Sequence, residues 1–374
     1  MLTRRALLMG TAASAFAPGL AAAQASRTGR QAAMNAALLR PDTLAYFAAK
    51  SGLLFGSMFG SGELGDAAYT REVIRECSLI YPYDLGPRNT RRSQSGFNFS
   101  TADRLVSFAN GNNLAVGGGY LVVHGSEPPW ITPATDRSTA LTELQTIVTE
   151  TMTHYLGQLD HWIVVNEAID VASKSPFALR NCTWLSTVGT DYVAQAFVAA
   201  RRADPKAVLV LNEYGIEADN PDDERKRAAV LALLRALKSS NVPIDALGIQ
   251  AHIWGERHMT SGALDTFLND VHALGLKIVV TELDVIDANL PADSGARDAA
   301  VAQGLGAFLN VVLHHPGVTS INVWGLSDSH SWYNRSATPA SMRRKDGRTS
   351  RAALLDQDLG RKPGYSALRA ALGG

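Results

Sequence analysis

Cysteine is nearly missing from this chain of 374 residues, with Cys77 and Cys182 the only two. Two thiols cannot build a disulfide framework or, on their own, a structural zinc site. They leave two readings open: one disulfide in an oxidising compartment, or a buried thiol in the strand-like run Glu-Cys-Ser-Leu-Ile plus a loop thiol in Asn-Cys-Thr-Trp. Net charge is also absent, since 35 basic residues balance 35 acidic ones. That argues against nucleic acid or an anionic membrane surface as partner, because both attract a basic surplus. After the amino terminus no stretch reaches the roughly 18 uncharged apolar residues of a membrane span. A dinucleotide fingerprint, a phosphate loop and an H-E-x-x-H pattern are all lacking, and His314-His315 is an isolated pair, so no cofactor and no metal is expected. Gly56, Gly60 and Gly62 do not have the spacing of G-x-G-x-x-G, which disfavours a doubly wound nucleotide-binding sheet.

What is present is apolar sequence in short, regular instalments. Hydrophobic residues make up 46% of the chain, enough for a large core. Residues 1–25 stand apart: Thr3-Arg4-Arg5-Ala6 opens an Ala/Leu-rich stretch that closes on Ala23-Gln24-Ala25. This reads as a twin-arginine export signal, or an ordinary secretory signal with a chance Arg pair, and predicts a soluble exported protein. Beyond it, Ala32–Lys50 reads as a helix. Strand candidates follow at Leu53–Phe59, Glu76–Tyr81, Leu114–Val123, His161–Asn166, Ala207–Leu211, Ala246–Ile253, Lys277–Thr281 and Ser320–Gly325. Amphipathic stretches lie between them, at Thr139–Gln158, Asp191–Ala203, Asp222–Ser239, Ser261–Leu274 and Ala296–His314. Strands alternating with helices, without a break in composition, predict a single-domain α/β fold, the (β/α)8 TIM barrel, over residues 26–374.

The active site of such a barrel lies at the carboxyl ends of its strands. There the sequence places Asn166 and Glu167 (fourth strand), Asn212, Glu213 and Tyr214 (fifth), and Gln250 and His252 (sixth). Glu282 and Asp284 follow on the seventh strand and Trp324 on the eighth. A Val/Ile run covered on both faces has no structural need to end in an acid, and here two such runs do, Val164-Val165-Asn166-Glu167 and Val279-Val280-Thr281-Glu282. Paired carboxylates suit glycosidic-bond cleavage: one donates a proton to the leaving oxygen, the other attacks the anomeric carbon or activates water. Amides and indoles on the same rim suit sugar hydroxyls and sugar faces. Glu213 and Asp284 read as rim ion-pair partners.

These residues resemble glycoside hydrolase family 10, the retaining endo-β-1,4-xylanases. Val164-Val165-Asn166-Glu167-Ala168 is similar to that family's acid/base strand, and Val280-Thr281-Glu282-Leu283-Asp284 to its nucleophile strand. Further matches span nearly the whole chain after residue 25: Phe97-Asn98-Phe99, Ala203-Asp204-Pro205, Val242-Pro243-Ile244-Asp245, Trp324-Gly325, Ser331-Trp332 and Lys362-Pro363. The resemblance implies Glu167 as acid/base and Glu282 as nucleophile. It implies Asn166 as contact to the sugar 2-hydroxyl, His252 as orienter of the nucleophile, and His124, Gln250, Trp324 and Trp332 as further substrate-binding residues. Its implied partner is a polysaccharide or oligosaccharide, taken by a monomer without a cofactor.

Two segments depart from the family pattern. Pro82-Tyr83-Asp84-Leu85-Gly86-Pro87 stands where the family has Pro-Glu-Asn-x-Met-Lys-Trp. Gly118-Gly119-Tyr120-Leu121-Val122-Val123-His124-Gly125-Ser126 stands where it has Gly-His-Thr-Leu-Val-Trp-His-Ser-Gln. The loss of a cation, a ring donor and an aromatic wall predicts extra volume on the glycone side, fitting a bulkier or decorated sugar better than plain xylan. A carbohydrate-binding barrel without turnover and a transglycosylase acting on a bacterial surface polysaccharide are the competing readings.

Overall fold

The structure, a computed structural model, describes residues 29–374 apart from 258 and 260, so the export-signal stretch of residues 1–25 lies outside the described residues. Eight parallel strands close into a barrel: β1 (Leu54–Phe59), β2 (Leu79–Pro82), β3 (Ala115–Gly118), β4 (His161–Asn166), β5 (Val208–Glu213), β6 (Ala246–Ile249), β7 (Lys277–Ile286) and β8 (Val318–Val323). Each pairs with its sequence neighbour, and β8 returns to β1 with Leu54 opposite Ser320, which closes the ring. This is the expected (β/α)8 barrel. Leu54, Leu79, Ile163, Val210 and Val279 fill its interior, while a larger apolar shell lies between strands and helices.

Local chemistry sets the element ends. The helix Pro221–Ser239 starts where the Asn220 side chain accepts the Asp222 and Asp223 N–H groups, with Pro at its first position and Asp222, Asp223 and Glu224 in its first turn. The expected helix Ala32–Lys50 is instead two helices, 29–38 and Leu44–Lys50. Pro41 has no N–H to continue the first, Asp42 turns the chain at φ 67°, and the Thr43 hydroxyl caps the second. Helices Ala67–Glu76 and Ser100–Gly111 lie between the first three strands, as the alternation of strand and helix requires. Glu76 and Cys77 therefore end a helix and do not begin β2.

Three further strands differ from expectation by more than a residue or two at an end. The run Leu114–Val123 is interrupted after Gly118, and only Val122–Val123 rejoins the sheet, against β4. Ala246–Ile253 is broken at Gln250-Ala251, with Ala251 at φ 61°, and resumes as His252–Trp254 against β7. That pairing prolongs β7 to Ile286, so Glu282 sits inside its strand and not at the tip. The cysteines are both free, Cys77 fully buried, which excludes the disulfide reading. Among the described residues no helix is long and apolar enough to cross a membrane.

Candidate active site

The mouth of the barrel opens into a cleft of about 1400 Å³, larger than the several hundred Å³ typical of small-ligand pockets and open enough for a chain of sugar rings. All eight expected site residues line it: His124, Asn166, Glu167, Gln250, His252, Glu282, Trp324 and Trp332.

Glu167 directly follows β4 and adopts φ 57°, a strained conformation that turns its side chain toward the cleft. Its Oε1 accepts from Gln250 Nε2 at 3.1 Å and from Asn166 Nδ2 at 3.2 Å. His124 Nδ1 lies 3.6 Å from its Oε2. Arg180 anchors the following loop by donating to the Glu167 carbonyl at 2.9 Å. Burial pulls the His124 pKa below its ordinary value, so this ring is neutral near pH 7.

Glu282 is 5% exposed, and both its oxygens have hydrogen-bond partners. Oε1 accepts from Asn212 Nδ2 at 2.9 Å and from the Tyr120 hydroxyl at 3.0 Å, while Oε2 faces His252 Nε2 at 3.2 Å. Burial raises its pKa, the His252 and Tyr120 hydrogen bonds pull it back, and the nearby Glu167 charge pushes it up again. His252 places its other nitrogen 2.8 Å from Asp284 Oδ1. Burial opposes charge on that ring, yet Asp284 and Glu282 outweigh it and hold the pKa well above the ordinary value. The imidazolium between two carboxylates favours the ionised form of Glu282, offsetting in part the burial that leaves its pKa above the ordinary carboxylate value. Asp284 also accepts from Tyr333 at 2.7 Å and from Trp332 Nε1 at 3.2 Å, so it orients the ring and the indole together.

A chain of amides joins the two acids. Asn212 Nδ2 donates to both Glu282 Oε1 and Asn166 Oδ1 (2.8 Å), and Asn166 in turn donates to Glu167. Thr281 fixes the Asn212 orientation by donating to its Oδ1 at 2.7 Å. The β4–β5 register sets this up by pairing Asn166 with Asn212. Glu213 points elsewhere and pairs with Lys226 at 2.9 Å, in the expected ion-pair role.

Two aromatic residues that sequence reasoning left out stand in the cleft. Tyr83 and Tyr120 present edges to Trp324, with ring centroids 6.4 and 6.1 Å away. Arg88 also lines this side. The family residues absent from the two departing segments are thus met on this side of the cleft by other rings, Tyr83 and Tyr120, and by the neighbouring cation Arg88. The Gly-Gly before Tyr120 was the available signal, since paired glycines mark a sharp turn of the backbone. Among the described residues no cluster of three or more His, Cys, Asp or Glu could hold a metal ion.

A barrel whose mouth sets two carboxylates, amide donors and indoles along an open cleft has the make-up of an O-glycosyl hydrolase. Residues 43–371 match the profile of Glycosyl hydrolase family 10, and the chain belongs to that family. It is 33% identical over 279 residues to endo-1,4-beta-xylanase A of Caldicellulosiruptor sp. (strain Rt8B.4), a match covering 70% of this chain but only 40% of that protein. To endo-1,4-beta-xylanase B of Thermotoga neapolitana it is 30% identical over 321 residues, covering 85% of this chain and 87% of the relative. The crystal structure of native xylanase 10B from Thermotoga maritima superposes with a TM-score of 0.78 at 28% identity, covering 88% of this chain and 98% of that one.

Proposed function

We propose that this protein cleaves a β-1,4-linked polysaccharide, xylan or a related decorated β-glycan, by double displacement with Glu282 as nucleophile and Glu167 as acid/base. The observation that carries this reading is the division of labour between the two acids. Glu282 is buried and paired with His252, whereas Glu167 reaches into the cleft on amide donors. In the first step a Glu282 oxygen attacks the anomeric carbon, the glycosidic C–O bond breaks, and the leaving oxygen takes the proton of Glu167. In the second, Glu167 removes a proton from water, the water oxygen attacks the same carbon, and Glu282 leaves as carboxylate. Asn166 lies between the acids, suitably placed to donate to the sugar 2-hydroxyl. Trp324 and Trp332 offer faces and edges to the ring.

The two separately supported carboxylates favour turnover over binding alone, since a pure binding protein needs neither a proton donor nor a nucleophile. Residues 1–25 are read as the export signal, in keeping with a polymer substrate too large to enter a cell. The testing experiment offers the purified protein xylan, substituted xylans, mixed-linkage glucan and bacterial exopolysaccharides, then maps the products. Release of oligosaccharides from a β-1,4-linked polymer supports the reading; no product from any of them refutes it.

A further inference from the structure

The segment after β3 departs most from the family pattern, and its backbone is unusual. Gly118, Gly119 and Tyr120 have φ values of 101°, 98° and 44°, three consecutive residues in the left-handed region. A residue with a side chain is disfavoured there by steric contact of its Cβ with the following carbonyl. Gly119 must lack one for a second reason: a Cβ would sit 2.5 Å from Trp162 Cε3. The larger side chain that the family pattern has at this place cannot be accommodated in this backbone. The chain then returns to the sheet, with the Leu121 N–H bonded to the Ile163 carbonyl at 3.0 Å.

The detour turns the Tyr120 side chain into the barrel mouth. Its hydroxyl donates to Glu282 Oε1 at 3.0 Å and its edge meets Trp324. Burial raises its pKa well above the usual phenol value, so the hydroxyl stays a neutral donor at any working pH. A buried tyrosine generally needs some partner. Tyr81, in the same barrel, finds one on His161 and not on either acid. Tyr120 instead holds a strained conformation and reaches the carboxylate.

A carboxylate oxygen has about two lone-pair sites. Oε1 of Glu282 has both occupied, by Tyr120 and Asn212, whereas Oε2 has His252 alone. We infer that Tyr120 is a positioning residue for the nucleophile, fixing Oε1 so that Oε2 is the oxygen presented to the anomeric carbon. It transfers no proton and forms no bond to the sugar. In this chain it supplies a ring donor on the side where the family pattern has the histidine replaced by Gly119. The inference rests on the reading of Glu282 as nucleophile.

The test compares wild type, Tyr120→Phe, Tyr81→Phe and Glu282→Gln on 2,4-dinitrophenyl β-xylobioside and β-cellobioside across pH. The leaving group needs no protonation, so the rate reports nucleophilic attack. Loss of a hydrogen bond to a charged acceptor predicts a fall in kcat/KM of roughly 10- to 100-fold for Tyr120→Phe. A lost donor also destabilises the ionised carboxylate, so the acidic limb of the profile moves to higher pH. Tyr81→Phe removes a buried hydroxyl that does not touch Glu282, so its acidic limb stays in place. Thermal melts of both variants separate this effect from misfolding. If Glu282→Gln is inactive while Tyr120→Phe keeps the wild-type rate and limb, the Tyr120 inference alone is overturned. If Glu282→Gln retains activity, the nucleophile assignment falls and the inference with it.

Discussion

Asn212 offers the sharpest perturbation away from the two acids. It is completely buried, and its amide links three groups: Nδ2 donates to Glu282 Oε1 and Asn166 Oδ1, and Oδ1 accepts from Thr281. Asn212→Ala removes all three bonds, yet each partner keeps another. Glu282 Oε1 retains Tyr120, Asn166 Oδ1 retains Gln250 at 3.3 Å, and the Thr281 hydroxyl retains the Ile249 carbonyl at 3.1 Å. No group is fully orphaned, so the stability loss should be about 2–3 kcal/mol, near the sum of net hydrogen-bond contributions. Catalysis should suffer more, because the bond to Glu282 is charge-assisted, at about 1.5–3 kcal/mol or roughly a 10- to 150-fold fall in kcat/KM. A second route reaches the same side chain without altering it. A Cβ at Gly248 would lie 2.3 Å from Asn212 Oδ1, so Gly248→Ala must displace the amide. The assay is initial rates on the polysaccharide identified by the substrate panel, beside urea unfolding of each variant. If Asn212→Ala folds and keeps its rate within about threefold, the amide chain has no role in holding Glu282.

Two further predictions concern the frame around the site. Asp160 contacts Arg30 at 3.0 Å and His161 at 2.9 Å; burial alone would raise its pKa, but these partners lower it from 3.8 to about 2. The folded pKa lies below the unfolded one, so this stability is present above about pH 4 and lost as pH falls toward 2. Asp160→Asn should cost about 2 kcal/mol at pH 7, roughly half of that at pH 3 and little below pH 2, as read by urea unfolding across this range. Gly119→Ala places a Cβ against Trp162 in a left-handed conformation and should cost about 2–4 kcal/mol, combining strain and overpacking. An unfolding midpoint unchanged from wild type would contradict the packing described for this turn.

The barrel and most of its catalytic rim were legible because both depend on local pattern. The run His-Trp-Ile-Val-Val-Asn is a strand wherever it is covered on both faces, and β4 spans those six residues. Positions at strand ends then identified Asn166, Glu167 and Trp324 without any knowledge of packing. What escaped depends on register and backbone sign. Asn212 was visible as a strand-end amide, but its bridging role comes from lying opposite Asn166 across β4 and β5. Tyr120 reaches Glu282, distant in sequence, only because three residues in succession take positive φ. The length of β7 depended on His252–Trp254 pairing beside it, a tertiary event that no periodicity within Lys277–Ile286 reports. The break at Asp42 turned on one proline, whose effect on a long helical pattern was underweighted.

The claim that most needs direct proof is covalent catalysis by Glu282. Incubation with 2,4-dinitrophenyl 2-deoxy-2-fluoro-β-xylobioside or its cellobioside counterpart slows breakdown of the glycosyl-enzyme, and peptide mass mapping then locates the sugar. The account predicts one added glycosyl group on the peptide carrying Glu282, with none on Glu282→Gln. A label on another residue, or an active enzyme whose first product has inverted anomeric configuration, would contradict it.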